Sequence, residues 1–341
     1  MIIRALLLPL LLCLVLQGAA QTGGSRAFSF LSLPTSAHAS ALGGKTVSAV
    51  GDPALVMANP ALLDSSMQQV AVLSIQPFYA DISHTLLSYS QSVGKSGMWY
   101  AGLQSFDYGE FPAYDASGQP TGSRFDAADY SLQIGHSRVQ GPFRLGATMR
   151  YAASRIDSYA AQALLFDLGG TFRHPGSDLS IGMSFRNMGF LLSDYTEEAD
   201  SRLPFDVLLG MSFKPAYMPV RFHFTASQLN RDNIAFFDPS AGLDPNAAAP
   251  GTIDKAFRRL NMGLELLFSE SVHFRVGYNH LIRQELKLPQ ASGGAGLAFG
   301  FMMKVKRFRF EFTRQYYHAA GGRTFLTLQS DLKGAFGKKK F

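Results

Sequence analysis

The chain has 341 residues, 47% of them hydrophobic and 16% charged, with a formal net charge of +6. Mean hydropathy is only +0.04, and no apolar run beyond the first twenty residues is long enough for a spanning helix, so a bundle of membrane helices is excluded. The small positive excess includes Lys338-Lys339-Lys340; without a long basic stretch interleaved with stacking aromatics, it gives no reason to expect nucleic acid as a partner.

Residues 1–20 carry one charge, Arg4, then an apolar run over 5–16, then Gly18-Ala19-Ala20 before Gln21. That is the charged start, apolar middle and small-residue cleavage site of a secretory signal. Cys13 follows Leu12, which is too large for the residue before a lipid-modified cysteine. Removing the signal takes Arg4 and the sole cysteine, lowering the charge from +6 to +5. The exported chain then has no disulfide, and its stability must come from elsewhere. A closed barrel supplies it, because every strand is hydrogen-bonded on both sides.

Residues 21–68 do not alternate. They are rich in small side chains, including Ala37, Ala39, Ala41, Gly43, Gly44, Ala49 and Gly51. Such a segment can pack tightly against a barrel wall or fill its lumen. Asp52 and Asn59 are placed to cap short helices, and Pro60 to open one. The expectation is a plug or periplasmic closure in which Gly43, Gly44, Asp52, Asn59 and Pro60 are the key positions; the alternative is a plain periplasmic leader.

From residue 69 to the C-terminus one pattern repeats: about ten residues alternating apolar and polar, then a turn. Strands are expected over 70–75, 83–93, 98–106, 127–137, 143–153, 162–172, 179–188, 206–213, 220–228, 259–268, 272–282, 296–304, 307–316 and 324–332. Phe308, Phe310 and Phe312 oppose Arg309, Glu311 and Thr313. Phe143, Leu145, Ala147, Met149 and Tyr151 oppose Arg144, Gly146, Thr148 and Arg150. Strand side chains alternate faces, so each strand has an apolar and a polar side. Glycine recurs on the polar side, relieving crowding in a narrow interior. Every second connector is short, and the intervening ones tend to be longer, 107–126, 189–204 and 229–257 among them. Short periplasmic turns and long outer loops are the pattern of outer-membrane barrels. The fold class expected is all-β: a transmembrane antiparallel barrel of about 14 strands over 69–341. An even strand count puts both termini in the periplasm. Phe341 is an aromatic C-terminus of the kind barrel-assembly signals have, although the three lysines before it break the alternation.

Catalytic signatures are lacking. Gly44-Lys45-Thr46 resembles the end of a phosphate-binding loop, but position 39 is Ala39 where that loop needs glycine. Neither His-Glu-x-x-His nor Gly-x-Ser-x-Gly occurs. The eight histidines are scattered, and no two stand at metal-ligand spacing. His84, Ser88 and Ser90 share a strand face, an arrangement that barrel esterases also use but that arises cheaply. His223 and His273, Arg144 with Arg150, and Arg309 with Glu311 fall on polar faces and read as lumen residues. No enzyme activity, cofactor or metal is expected.

Four stretches carry a resemblance. Phe28-Ser29-Phe30-Leu31-Ser32-Leu33-Pro34, then Ala37-His38-Ala39-Ser40-Ala41-Leu42-Gly43-Gly44, then Val47-Ser48, then Asn59-Pro60-Ala61-Leu62 resemble the start of PorV/PorQ family proteins, relatives of FadL-type fatty-acid channels. The opening stretch is closest to the PorQ branch. The residue-by-residue match is confined to this segment; length and barrel pattern extend it. The resemblance implies a FadL-like barrel with residues 21–68 folded inside or beneath it. It also implies a place in the outer membrane as a component of the type IX protein secretion system. There it would hold a soluble surface protein of the PorZ kind, alongside other members of the attachment complex that processes and anchors secreted cargo. Its partner contacts would fall on the long loops, with Tyr195, Phe236 and Phe237 as the aromatic candidates. The wider group implies the alternative, a channel for hydrophobic small molecules.

Overall fold

The computed structural model describes residues 26–79, 81–94, 96–115, 117–235, 251–286, 293–318 and 321–333. The expected signal over 1–20, Phe236, Phe237 and the tail from Lys338 to Phe341 lie outside the described residues. Fourteen antiparallel strands close into one barrel. They are β1 (Val70–Pro77), β2 (Ser83–Ser92), β3 (Met98–Tyr114), β4 (Pro120–Gln140), β5 (Phe143–Ile156), β6 (Tyr159–Arg173) and β7 (Asp178–Ser193). The others are β8 (Asp206–Lys214), β9 (Val220–Ala226), β10 (Leu260–Ser269), β11 (Val272–Asn279), β12 (Leu297–Val305), β13 (Phe308–His318) and β14 (Gly321–Asp331). Each pairs with its sequence neighbours, and β1 closes on β14 from Val70↔Asp331 to Ile75↔Leu326. No backbone edge remains, which a lipid environment requires. Among the described residues no helix is long and apolar enough to cross a membrane.

The alternation sorts the side chains as the pattern demands. On β13, Phe310 is 46% exposed on the outer wall while Glu311 is 3% exposed inside. Phe143, Leu145, Met149 and Tyr151 stand outward, and Arg144, Thr148 and Arg150 are buried within. This is the reverse of a soluble core: the exposed face is apolar because lipid covers it, and the polar groups are enclosed.

Several expected boundaries shift. The stretch 107–126 is not a loop, since β3 runs to Tyr114 and β4 starts at Pro120, joined by a short turn. This ribbon rises past Ser83 of β2 and Ile156 of β5, where the neighbouring strands end. Register shifts after Asp107 and Pro112 break its alternation, which gives its sequence the look of a connector. β7 likewise continues to Ser193, inside the expected 189–204 loop, and β9 stops at Ala226. β11 stops at Asn279, and the expected strand end becomes helix α3 (His280–Leu286). Within the longest connector lies helix α2 (Thr252–Arg258). One end of the barrel therefore carries only tight turns. The other carries the long connectors 194–205, 227–259 and 280–296, mixed with tight turns where strands run on.

Residues 26–68 thread the lumen. They begin at the long-loop end, where Ala27 N donates to Arg202 O at 3.2 Å, and reach the short-turn end, where Gln69 N donates to Ser90 O at 2.8 Å. The first described residue and the end of β14 therefore lie at opposite ends of the barrel. Strand parity sets where β1 starts and β14 stops, but it does not govern a segment that runs back through the interior.

Candidate functional site: the plug and its seat in the barrel wall

Short helical turns build the plug, and each after the first, Ser29–Ser32, is capped by the side chain of the residue ahead of it. Ser36 Oγ accepts from Ala39 N at 3.3 Å at the start of helix α1 (Ala37–Ala41). Asp52 Oδ1 accepts from Ala54 N at 2.8 Å and opens the 3-10 turn Pro53–Met57. Asn59 Oδ1 accepts from Ala61 N at 3.0 Å and opens Pro60–Leu62, with Pro60 in the first turn. A proline there loses nothing, because its missing N–H would have no helical partner. Gly43 and Gly44 follow α1 at φ 92° and 97°, a region that side chains disfavour. A Cβ on Gly43 would also lie 2.9 Å from Tyr278 O of β11.

So irregular a backbone leaves many N–H and C=O groups without partners in regular structure. The inner wall supplies them. Thr313 Oγ1 donates to Ala37 O at 2.7 Å, and Thr327 Oγ1 accepts from Ala37 N at 3.0 Å. Asn279 Nδ2 donates to Gly43 O at 3.0 Å, Arg309 Nη1 to Gly51 O at 3.0 Å, and Arg186 Nη2 to Leu31 O at 3.0 Å. Ser137 Oγ donates to Leu63 O at 2.6 Å. Side chains on strands from β4 to β14 thus hold the plug's main chain. Polar faces that suggest a water-filled path are here spent largely on a solid occupant.

Ion pairs reinforce the seat. Lys45, which sits in the stretch that resembles the end of a phosphate-binding loop, pairs with Asp206 at 2.8 Å. Asp64 lies 3.0 Å from Arg173 and 3.5 Å from Arg144 at the short-turn end. Burial would raise its carboxyl, but the Ser66 hydrogen bond and the charges of Arg173 and Arg144 outweigh that and hold it below the usual range. Within the wall, Arg150 reaches Asp167 at 2.7 Å, Asn187 Oδ1 at 2.7 Å and Gln133 Oε1 at 3.1 Å. Arg275 bridges Glu265 at 2.7 Å and Glu311 at 3.4 Å, and Arg309 lies 2.7 Å from Glu311.

The long-loop mouth is apolar and occupied by the chain itself. Ala27, Phe28, Phe30 and Leu31 pack against Phe106, Ala152, Ala161, Ala163 and Leu165, with Phe78, Tyr108 and Tyr195 around them. Small alanines on β5 and β6 make room for the phenylalanines. Tyr195, a sequence candidate for outward partner contact, instead turns inward. It is half-buried, with its hydroxyl donating to Ser154 Oγ at 2.6 Å. Phe28 adopts φ 54°, a left-handed conformation uncommon outside glycine.

The other sequence candidates fall into place singly. His84 lies 3.3 Å from Gln76 and 2.9 Å from Gln104, and Ser90 Oγ donates to Met67 O at 2.5 Å, so His84 and the serines form no catalytic pair. His223 is buried inside the wall, 2.8 Å from Ser212 Oγ. The cluster that sequence spacing missed is His38, Asp52 and Glu311, brought together by the plug's docking against β13.

No protein-family profile matches the sequence, and no curated protein does. Solved structures do match by shape. The CymD monoaromatic hydrocarbon channel superposes with a TM-score of 0.52 at 11% identity, over 89% of this chain and 97% of that one. A deltaS2 mutant of the TodX monoaromatic hydrocarbon channel gives 0.50 at 13%, over 88% and 97%. A FadL homologue from Pseudomonas aeruginosa gives 0.42 at 10%, over 82% and 94%. This chain shares its closed-barrel fold with the CymD and TodX barrels.

Proposed function

We propose that this chain is a plugged outer-membrane barrel that works as a surface anchor of the type IX secretion system, with the long loops outward and the short turns in the periplasm. The observation that carries the closed state is the seat of the plug: wall side chains from Ser137 to Thr327 bond its backbone, and Phe28, Phe30 and Leu31 fill the mouth. A barrel so occupied offers rigidity and an outer platform rather than a passage. The secretion role rests on the resemblance of residues 28–62 to the PorV/PorQ family. In that role the long-loop end would hold a soluble surface protein of the PorZ kind, and Phe236 and Phe237 remain its aromatic candidates.

The second reading is a hydrophobe channel. It is favoured by the fold shared with CymD and TodX, both named as monoaromatic hydrocarbon channels. The apolar mouth would also accept an aromatic or acyl ligand if Phe28–Leu31 withdrew, and the strained Phe28 gives that segment a reason to move. Deleting the gene separates the two. The anchor reading expects secreted cargo to be lost from the cell surface while uptake of toluene-like hydrophobes is unchanged. Normal cargo attachment with impaired uptake would reverse the assignment.

A further inference from the structure

We infer that His38 and Asp52 of the plug and Glu311 of β13 form a site for one divalent transition-metal ion, zinc by preference, which would fasten the plug to the wall. All three residues are buried, and one ligand atom from each lies within 4.8 Å of the other two. A tetrahedral zinc ion with bonds of 2.0–2.2 Å holds its ligands about 3.3–3.6 Å apart. Closing the cluster therefore takes movements of roughly 1 Å.

The hydrogen bonding points to a missing cation. A buried carboxylate normally accepts several hydrogen bonds. Neither oxygen of Glu311 accepts one from any described residue, although Arg309 Nε stands 2.7 Å away and Arg275 Nη1 3.4 Å away. The guanidiniums supply nearby charge, but their N–H groups are not aimed at the carboxylate. His38 is only 2% exposed, and its Nδ1 lies 2.7 Å from Asp52 Oδ2; an ion held by both atoms would replace that contact, with the ring proton on Nε2. Asp52 is itself positioned by Ala54 N and by Gln329 Nε2, each bonding Oδ1 and leaving Oδ2 to the cluster.

Charge and access agree. Arg221 is shared with Asp178 at 2.7 Å. The carboxylates of Asp52, Glu265 and Glu311 then face the guanidiniums of Arg275 and Arg309, leaving room for added positive charge. One imidazole with two carboxylates suits zinc or its neighbours better than calcium or magnesium, which prefer oxygen alone. A cavity of about 210 Å³ lined by His38, Glu270, His273, Lys304 and Arg309 leads to the cluster from the short-turn end. The ion would add a joint between plug and wall beside the hydrogen bonds of Gln329 to Asp52, Arg309 to Gly51, and Thr313 and Thr327 to Ala37.

The test uses the untagged, detergent-solubilised chain, stripped with a chelator and titrated with zinc. Wild type is expected to bind about one zinc per chain. Glu311→Gln and His38→Gln should each weaken that binding by about 100-fold or more. Hydrogen exchange of the wild-type chain needs no variant: zinc should slow exchange in residues 37–54 and in β13. Either of two results overturns the site: no stoichiometric zinc in wild type, or zinc bound with exchange unchanged in those two segments. Undiminished binding in both folded variants would do the same.

Discussion

Replacing Gly182 and Gly277 together by valine is expected to expel the plug while leaving the barrel assembled. Both glycines face inward, and the plug's main chain lies directly on them. A Cβ at Gly277 would strike Gly43 N and Ala41 O, and one at Gly182 would strike Val47 O. A third position, Gly146, shows the same fit, since its Cβ would come within 2.5 Å of Pro60 C and 2.6 Å of Ala61 N. Backbone cannot rotate aside as a side chain can. Overpacking typically costs about 1–3 kcal/mol per site, and two clashes with fixed backbone fall at the upper end of that range. The strand ladders bear no part of the clash, so closure should survive. Heat-dependent gel mobility would report the folded barrel, and limited proteolysis would report the plug. Folded barrels with rapid cleavage inside residues 26–68, together with planar-bilayer conductance absent from wild type, are the expected result. A plug as protected as in wild type would mean that the glycines are incidental.

Substituting Arg150 by methionine should have the largest effect on the wall itself. Arg150 is 2% exposed and binds Asp167, Asn187 and Gln133 at once. Among the described residues, Asp167 would keep one hydrogen bond, from the Asn187 N–H at 2.7 Å. Removing one partner of a buried ion pair typically costs about 3–5 kcal/mol, because the other charge is left without compensation. Adding Asp167→Leu should recover a good part of the loss, since an apolar pair of similar size escapes that penalty. The urea midpoint for folding into lipid vesicles measures both. An Arg150→Met midpoint equal to wild type would show that water, not the arginine, satisfies Asp167.

The barrel is legible in the sequence because its signal is local. Alternation in 307–313 or 143–151 needs no knowledge of the rest of the chain, and period 2 fixes both faces at once. Where strands leave the membrane, that signal fades. The β3–β4 ribbon is largely exposed beyond Asp107 and carries register shifts, so neither face is uniformly apolar and the sequence reads as a loop. The capping roles of Asp52 and Asn59 are legible for the same local reason. The direction of Tyr195 is not, because an aromatic in a loop can point either way until its neighbours are known. The glycines of the polar faces read as relief from crowding, and the occupant that crowds them is the plug's own backbone. The His38–Asp52–Glu311 cluster is beyond reach, since it joins the start of the chain to its thirteenth strand. Spacing rules find only ligands that are close in sequence.

The central claim is that this barrel works with its plug in place. Ser48 and Ser212 allow a direct test, since their hydroxyls meet at 2.7 Å across the boundary between plug and β8. Cysteines at both positions fall within reach of a disulfide, and the sole native cysteine, Cys13, lies within the first twenty residues. The measurement is surface attachment of secreted cargo in cells carrying only the Ser48→Cys/Ser212→Cys chain, oxidised and then reduced. A barrel that works plugged should give attachment equal to the parental strain in both states. Attachment lost on oxidation and restored on reduction would contradict this, because the work would then depend on plug movement.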